Sequence, residues 1–323
     1  MILAGDIGGT KTRLALVEPA TGRLVASQTY GSREHETFAA VVDDFRREHP
    51  HPFGPACLGV AGPVMGGRVD VTNLPWVIDV RDLERLGYKS PMLVNDMVAY
   101  GAGIEQLDAT GVKTLNVGVE RPGNRALIAA GTGLGESFLT ARASGGWTVH
   151  ATEGGHVDFS PTTDDEIALL KYLRRTHRRV SWERVLSGRF GFTNIGQFLA
   201  DTGRYPEDSG VIADLATQDD GGPILTKAAS AGSTLAQDAM RFFARLYGVE
   251  AGNLALKYMA LGGVYIGGGI AERIMQWLEG PEFLAGYSAK GRFSTLVASI
   301  PVHVITDPDC AAKGAALLAM RHL

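Results

Sequence analysis

The segment Gly5-Asp6-Ile7-Gly8-Gly9-Thr10-Lys11-Thr12-Arg13 sets a carboxylate, two adjacent glycines and two threonine hydroxyls between short apolar runs. Glycines at 8 and 9 permit a tight hairpin with backbone N–H groups turned outward, a geometry that holds phosphate oxygens, while Thr10 and Thr12 add hydroxyl donors. Asp6, at the end of the first run, is of the right type to hold a hydrated magnesium ion. An ordinary glycine hairpin would use the same residues, so the pattern alone leaves both readings open. The segment lacks the Gly-Lys-Ser/Thr ending of a Walker A loop and is no dinucleotide fingerprint. Lys11 and Thr12 receive no assigned role, since their side chains could face phosphates or solvent.

Two further glycine clusters follow the same logic. Ala129-Ala130-Gly131-Thr132-Gly133-Leu134-Gly135-Glu136 again joins an apolar strand, freed backbone and a threonine hydroxyl at phosphate height. Val264-Tyr265-Ile266-Gly267-Gly268-Gly269-Ile270 ends a strand before a helix, so its backbone can lie close to a flat base or ribose. Asn95 and Asp96 stand at the joint between a strand and a helix. There Asp96 suits both a helix N-cap and a general base that orients a sugar hydroxyl and takes its proton. In Thr152-Glu153-Gly154-Gly155-His156-Val157-Asp158-Phe159 two glycines let Glu153 and His156 face one small polar object, and Glu183 opens a later helix that could bring a second carboxylate. A single histidine without nearby thiolates argues against zinc there.

These residues need elements to hold them. Residues 2–5, Thr10 to Val17 and Leu24 to Tyr30 predict a β-meander, and Phe38, Val41, Val42 and Phe45 recur at helical spacing through Glu36 to His49. Strand Cys57 to Ala61, a hairpin through Gly66-Gly67, a helix near Asp79 to Leu86, strand Met92 to Val94 and a helix from Met97 complete one α/β unit. Strands Thr114 to Val117, Leu127 to Ala130, Ser137 to Thr140 and Trp147 to Ala151 predict a second meander. A mostly helical region from Asp165 to about Tyr258, strand Val264 to Ile266, a helix near Glu272 to Leu278, strand Val302 to Ile305 and helix Cys310 to His322 follow. Two α/β units that each begin with antiparallel strands predict a duplicated fold with a cleft between lobes. The boundaries read as 1–106 plus 306–323 for a smaller domain and 107–305 for a larger one.

Composition narrows the function. The chain has 323 residues, 45% hydrophobic and 20% charged, with 31 Lys+Arg against 35 Asp+Glu for a net charge of -4. That is a globular composition with no basic excess for binding nucleic acid. Cys57 and Cys310 are too few for a disulfide framework or a four-thiolate zinc site, and fit a reducing cytoplasm. No signal-like leader is expected, and the uncharged stretch Tyr258 to Ala271 is too short for the roughly 20 residues of a membrane span. The 42 glycines are the outlier, and they cluster in the loops just described.

In this order the segments resemble the sugar kinase, actin and Hsp70-type ATPase superfamily, and within it the bacterial glucokinases, over essentially the whole chain. Glu153-Gly154-Gly155-His156-Val157-Asp158-Phe159 and Glu183-Arg184-Val185-Leu186-Ser187-Gly188 carry the specific part of the likeness. The resemblance implies an α/β, two-lobed ribonuclease H-like (actin-like ATPase) fold with a central cleft that sugar binding closes. It implies transfer of phosphate from ATP, with Mg2+, to the 6-hydroxyl of glucose, and leaves open mannose, glucosamine or a non-catalytic sugar sensor. Asp96 would be the catalytic base, with Asn73, Asn95, Glu153, His156 and Glu183 on the sugar. Gly8, Gly9, Thr10, Gly131 and Thr132 would cradle phosphates, Gly268 and Gly269 would face the adenosine, and Asp6 would hold magnesium through water. A homodimer is implied as well. Repressor-related sugar kinases carry a cysteine-rich zinc motif and in some cases an N-terminal helix-turn-helix; this sequence shows neither, so no DNA-binding role is expected.

Overall fold

The computed structural model describes residues 1–218 and 220–322. Asp219, within the expected helical region, and Leu323, within the expected smaller domain, lie outside the described residues. The chain forms two compact units: Met1–Val112 with Leu139–Ala151 and Asp307–Leu323, and Lys113–Phe138 with Thr152–Thr306.

The first unit is built on a sheet of β1 (Ile2–Ile7), β2 (Lys11–Val17), β3 (Leu24–Gly31), β4 (Pro55–Val60) and, after the short hairpin β5 (Arg68–Asp70) and β6 (Val77–Asp79), β7 (Lys89–Asn95). Its order is β3-β2-β1-β4-β7: an antiparallel meander extended by two strands parallel to β1. The two-residue period of a strand divides β1 between two cores. Leu3 and Ile7 join Val41, Val42 and Phe45 of the helix Phe38–Glu48 on one face, while Ile2 and Ala4 join Ala99, Ala312, Ala315 and Ala316 on the other. That second face is lined with small residues, so the helices Asp96–Gly103 and Cys310–His322 approach closely. A Cβ on Gly314 would lie 1.9 Å from the carbonyl oxygen of Ala99, and one on Gly103 2.0 Å from that of Cys310. The crossing therefore fixes the helix that begins at Asp96.

The second sheet contains β8 (Val112–Asn116), β9 (Arg125–Ala130), β10 (Leu134–Ala141), β11 (Trp147–Thr152), β12 (Val264–Gly267) and β13 (Val302–Ile305), in the order β11-β10-β9-β12-β13-β8. Five of these repeat the first sheet's order, with β12 parallel to β9 and to β13, so the expected duplication is present in the topology. One expectation fails. The strand read at Thr114 to Val117 does not begin the second meander; β8 lies at the opposite edge, beside β13. The second core is organised by the helix Thr234–Lys257, whose Phe243 and Tyr247 are fully buried together with Trp182. Among the described residues no helix is long and apolar enough to cross a membrane.

Candidate functional site

In both sheets the glycine loops leave the carboxyl ends of parallel strands, β1 in the first and β9 and β12 in the second, the edge at which α/β sheets bind ligands. In the first unit, β1 ends into Gly8-Gly9-Thr10 and β7 ends at Asn95. The loop is closed by Gly8 N–H donating to the Lys11 carbonyl at 2.9 Å. The N–H groups of Gly9 and Thr10 have no acceptor among the described residues. Gly9 has to be small: its Cβ would lie 2.9 Å from the Thr72 carbonyl oxygen and 3.3 Å from Asn73 Cβ. Asn73, on a backbone with φ of 64°, thereby stands beside the first loop. Thr12 departs from the reading as a donor to phosphate. It is fully buried, its hydroxyl 3.0 Å from that of Ser32, because β2 alternation turns position 12 inward while Lys11 is exposed.

Asp6 and Asp96 interact as like charges. The Asp6 carboxyl is pushed up to about 7 by burial first and by the Asp96 carboxylate second, against the Arg13 guanidinium. Arg13 is in turn paired with Asp309 at 2.6 Å. Asn95, not Asp96, is the N-cap: its side-chain oxygen accepts Met97 N–H at 3.0 Å, and Asp96, the first helical residue, accepts the same N–H at 2.9 Å. Two mutually repelling carboxylates fit a magnesium ion held by one or two acids and completed by water and phosphates. They do not amount to an all-protein cage, and among the described residues no group of three or more His, Cys, Asp or Glu side chains is arranged to hold a metal ion.

In the second unit, β9 ends into the loop 131–133 and β12 ends into Gly268. Gly131 N–H donates to the Gly133 carbonyl at 2.9 Å and Gly188 N–H to the Gly131 carbonyl at 2.8 Å, while the Thr132 and Gly133 N–H groups have no acceptor among the described residues. Gly268, with φ of 84°, lies against β9; a Cβ there would be 2.3 Å from the Ala130 carbonyl oxygen. Gly269 is exposed and opens the helix Gly269–Arg273. The buried Tyr247 hydroxyl joins both strand ends, accepting Ala130 N–H at 3.0 Å and lying 3.3 Å from the Gly267 carbonyl oxygen.

The segment around Glu153 packs onto the same loop. Glu153 precedes and His156 ends a short 3-10 turn, Gly154–His156, with Oε2 of Glu153 3.9 Å from Nε2 of His156 and side chains 79% and 60% exposed. Gly155 rests on Leu134, where a Cβ would be 2.1 Å from the carbonyl oxygen. Glu183 accepts the Leu134 N–H at 3.3 Å, which puts this expected sugar ligand directly on the second glycine loop. Beneath them Glu136 is 1% exposed, neither carboxyl oxygen has a hydrogen-bond partner among the described residues, and burial first, then the Glu250 carboxylate, push it up to about 8 against the opposing Lys257. Ser32, Tyr247 and Glu136 were not singled out by motif or spacing.

Residues 3–322 match the glucokinase family model. The chain belongs to the glucokinase family. Among its relatives, this glucokinase-family chain is 40% identical to the glucokinase of Nostoc sp., with 99% of each chain covered. It is 37% identical to that of Synechocystis sp., covering 98% of this chain and 97% of the relative. Its fold matches the crystal structure of glucokinase from an Antarctic psychrotroph with a TM-score of 0.83 at 30% identity, covering 99% of this chain and 98% of the other. A ROK family glucokinase from Streptomyces griseus, solved in complex with glucose and AMPPNP, matches with a TM-score of 0.63 at 22% identity over 99% of both chains. The fold class is thus the α/β, actin-like ATPase fold of these sugar kinases, as the sequence implied.

Proposed function

We propose that this glucokinase acts in the first step of glycolysis, transferring the γ-phosphoryl group of ATP to the 6-hydroxyl of glucose, with Asp96 as the base. The observation that carries the assignment is the first glycine loop, with the Gly9 and Thr10 N–H groups lacking an acceptor among the described residues and the Asp6 and Asp96 carboxyls close enough to repel each other. Phosphoryl transfer needs a proton acceptor for the attacking hydroxyl and positive charge for the phosphates; of two acids on β1 and after β7, either side of β4, one suits the proton and the other a cation. The 6-oxygen forms the new bond to phosphorus as the bond to the β-phosphate oxygen breaks; the hydroxyl proton passes to the Asp96 carboxylate, and ADP leaves.

Asp6 is the residue to hold magnesium, through water, in this reading. When bound, the ion supplies positive charge to the phosphate oxygens. Gly8, Gly9 and Thr10 in the first unit, and Gly131 and Thr132 in the second, offer backbone N–H and hydroxyl donors to phosphates. Gly268 and Gly269 offer close backbone approach to the adenosine. Asn73 and Asn95 in the first unit, and Glu153, His156 and Glu183 in the second, bind the remaining sugar hydroxyls. A hexose epimer, with one hydroxyl turned away from these side chains, then loses a hydrogen bond to a charged group, about 1.5–3 kcal/mol. Glucose preference over its epimer mannose follows, and glucose is read as preferred over glucosamine too; a hexose panel read by ADP release tests both, and equal rates with all three would refute the preference. The two buried free thiols, Cys57 and Cys310, support a reducing cytoplasmic setting. A homodimer completes the proposal, to be tested by sedimentation equilibrium.

A further inference from the structure

We infer that Ser32 is a positioning residue for the phosphate loop of the first unit, acting through the carbonyls of Gly8 and Thr10 and the hydroxyl of Thr12. This rests on reading Gly8, Gly9 and Thr10 as phosphate-binding. Ser32 follows β3 directly and is fully buried. Its N–H donates to the Thr10 carbonyl at 3.0 Å and its hydroxyl to the Gly8 carbonyl at 2.8 Å. A serine hydroxyl has one hydrogen, and Gly8 takes it. The 3.0 Å contact with Thr12 therefore has Thr12 as donor, so that one side chain ties the start of the loop to the strand that follows it.

The direction of these bonds gives them their consequence. Across a trans peptide the C=O of one residue and the N–H of the next point in opposite directions. Holding the Gly8 and Thr10 carbonyls toward Ser32 therefore turns the Gly9 and Lys11 N–H groups the other way. Three residues on, the same segment holds the Asn73 loop: the Trp76 indole N–H donates to the His35 carbonyl at 3.3 Å, and His35 is itself 3.0 Å from Asp44 on the helix Phe38–Glu48. Ser32 to His35 thus braces the first glycine loop at one end and the loop of Asn73 at the other.

The test is steady-state kinetics of the full chain with ATP and glucose varied in turn, alongside thermal unfolding. Ser32→Ala is expected to raise the KM for ATP by about 5- to 30-fold while the KM for glucose stays within about twofold. Thr12→Val, which leaves the bond to Gly8, should move the same constant less, and the double variant should be no worse than Ser32→Ala alone, because both act through one hydroxyl. A lowered melting temperature with the KM for ATP unchanged, or an equal rise for both substrates, overturns the proposal. If Ser32→Ala does not fold, an unchanged KM for ATP in Thr12→Val overturns it instead. Gly9→Ala separates the two readings. If it raises the KM for ATP while Ser32→Ala does not, the role of Ser32 falls alone; if neither does, the phosphate-loop reading falls with it.

Discussion

Glu183 accepts the backbone N–H of Leu134, and the carbonyl of the same leucine lies under Gly155. One residue at the exit of the second glycine loop therefore touches both segments proposed to hold the sugar. Nucleotide and sugar binding share a piece of backbone in this unit, so damage to one should be felt by the other. Glu183→Ala is expected to raise the KM for glucose and the KM for ATP together, each by roughly tenfold, the loss of one charge-assisted hydrogen bond. A change in the KM for glucose alone would show that the contact with Leu134 has no part in nucleotide binding.

Gly155→Ala tests that contact from the other side. The new Cβ would stand 2.1 Å from a backbone oxygen, and backbone on a central strand has little room to yield. Displacing the turn should lower kcat/KM for glucose at least tenfold and destabilise the fold by about 1–3 kcal/mol. Wild-type kinetics in this variant would mean that the turn can shift without moving Glu153 and His156.

Tyr247→Phe removes only a hydroxyl, but that hydroxyl accepts the Ala130 N–H between the ends of β9 and β12. A buried donor left unpaired costs about 1–3 kcal/mol. At about 1.5 °C per kcal/mol for a chain of this length, a drop of about 2–4 °C in melting temperature is predicted, readable by calorimetry.

Stability should depend on pH through Glu136. Its folded carboxyl, pushed up to about 8, holds a proton that the unfolded chain releases near its ordinary value. The native state therefore binds more protons between those limits, and its advantage, complete in acid, is lost as pH rises toward about 8. Lys290 acts in the opposite sense and in another window. Burial lowers it to about 8, so the unfolded chain binds more protons above that pH and stability gains as pH climbs from about 8 toward the ordinary lysine range. Asp6, raised to about 7, and Glu250, raised by burial, slope the same way, so Glu136→Gln should make the first limb shallower, most clearly between about pH 7 and 8, and leave the second, in urea titrations run from pH 5 to 10. An unchanged acid-to-neutral slope would show that Glu136 does not titrate as described.

Much of this arrangement was legible in the sequence because it rests on local chemistry. The glycine loops, the alternation of β1 to β3 and the apolar spacing of Phe38, Val41, Val42 and Phe45 each announce their own conformation, and the duplication follows from meeting the same series twice. The position of β8 is not a local property: its strand propensity is plain, but its pairing with β13 is decided by residues nearly two hundred positions later. The capping of the helix at Asp96 by Asn95 turns on which of two adjacent polar residues keeps extended backbone, and their types do not distinguish them. Ser32 and Glu136 escaped for a related reason. A serine after a strand and a glutamate after a glycine loop carry no local sign of the packing that buries them.

The central claim is that the Asp96 carboxylate takes the proton of the attacking sugar hydroxyl. Asp96→Asn keeps the shape and the acceptor oxygen for Met97 N–H while removing the base. A coupled assay of ADP release with ATP, magnesium and glucose, run beside glucose binding by calorimetry, should show turnover reduced by at least about a hundredfold, with glucose still bound. Near-normal turnover in Asp96→Asn would contradict the account.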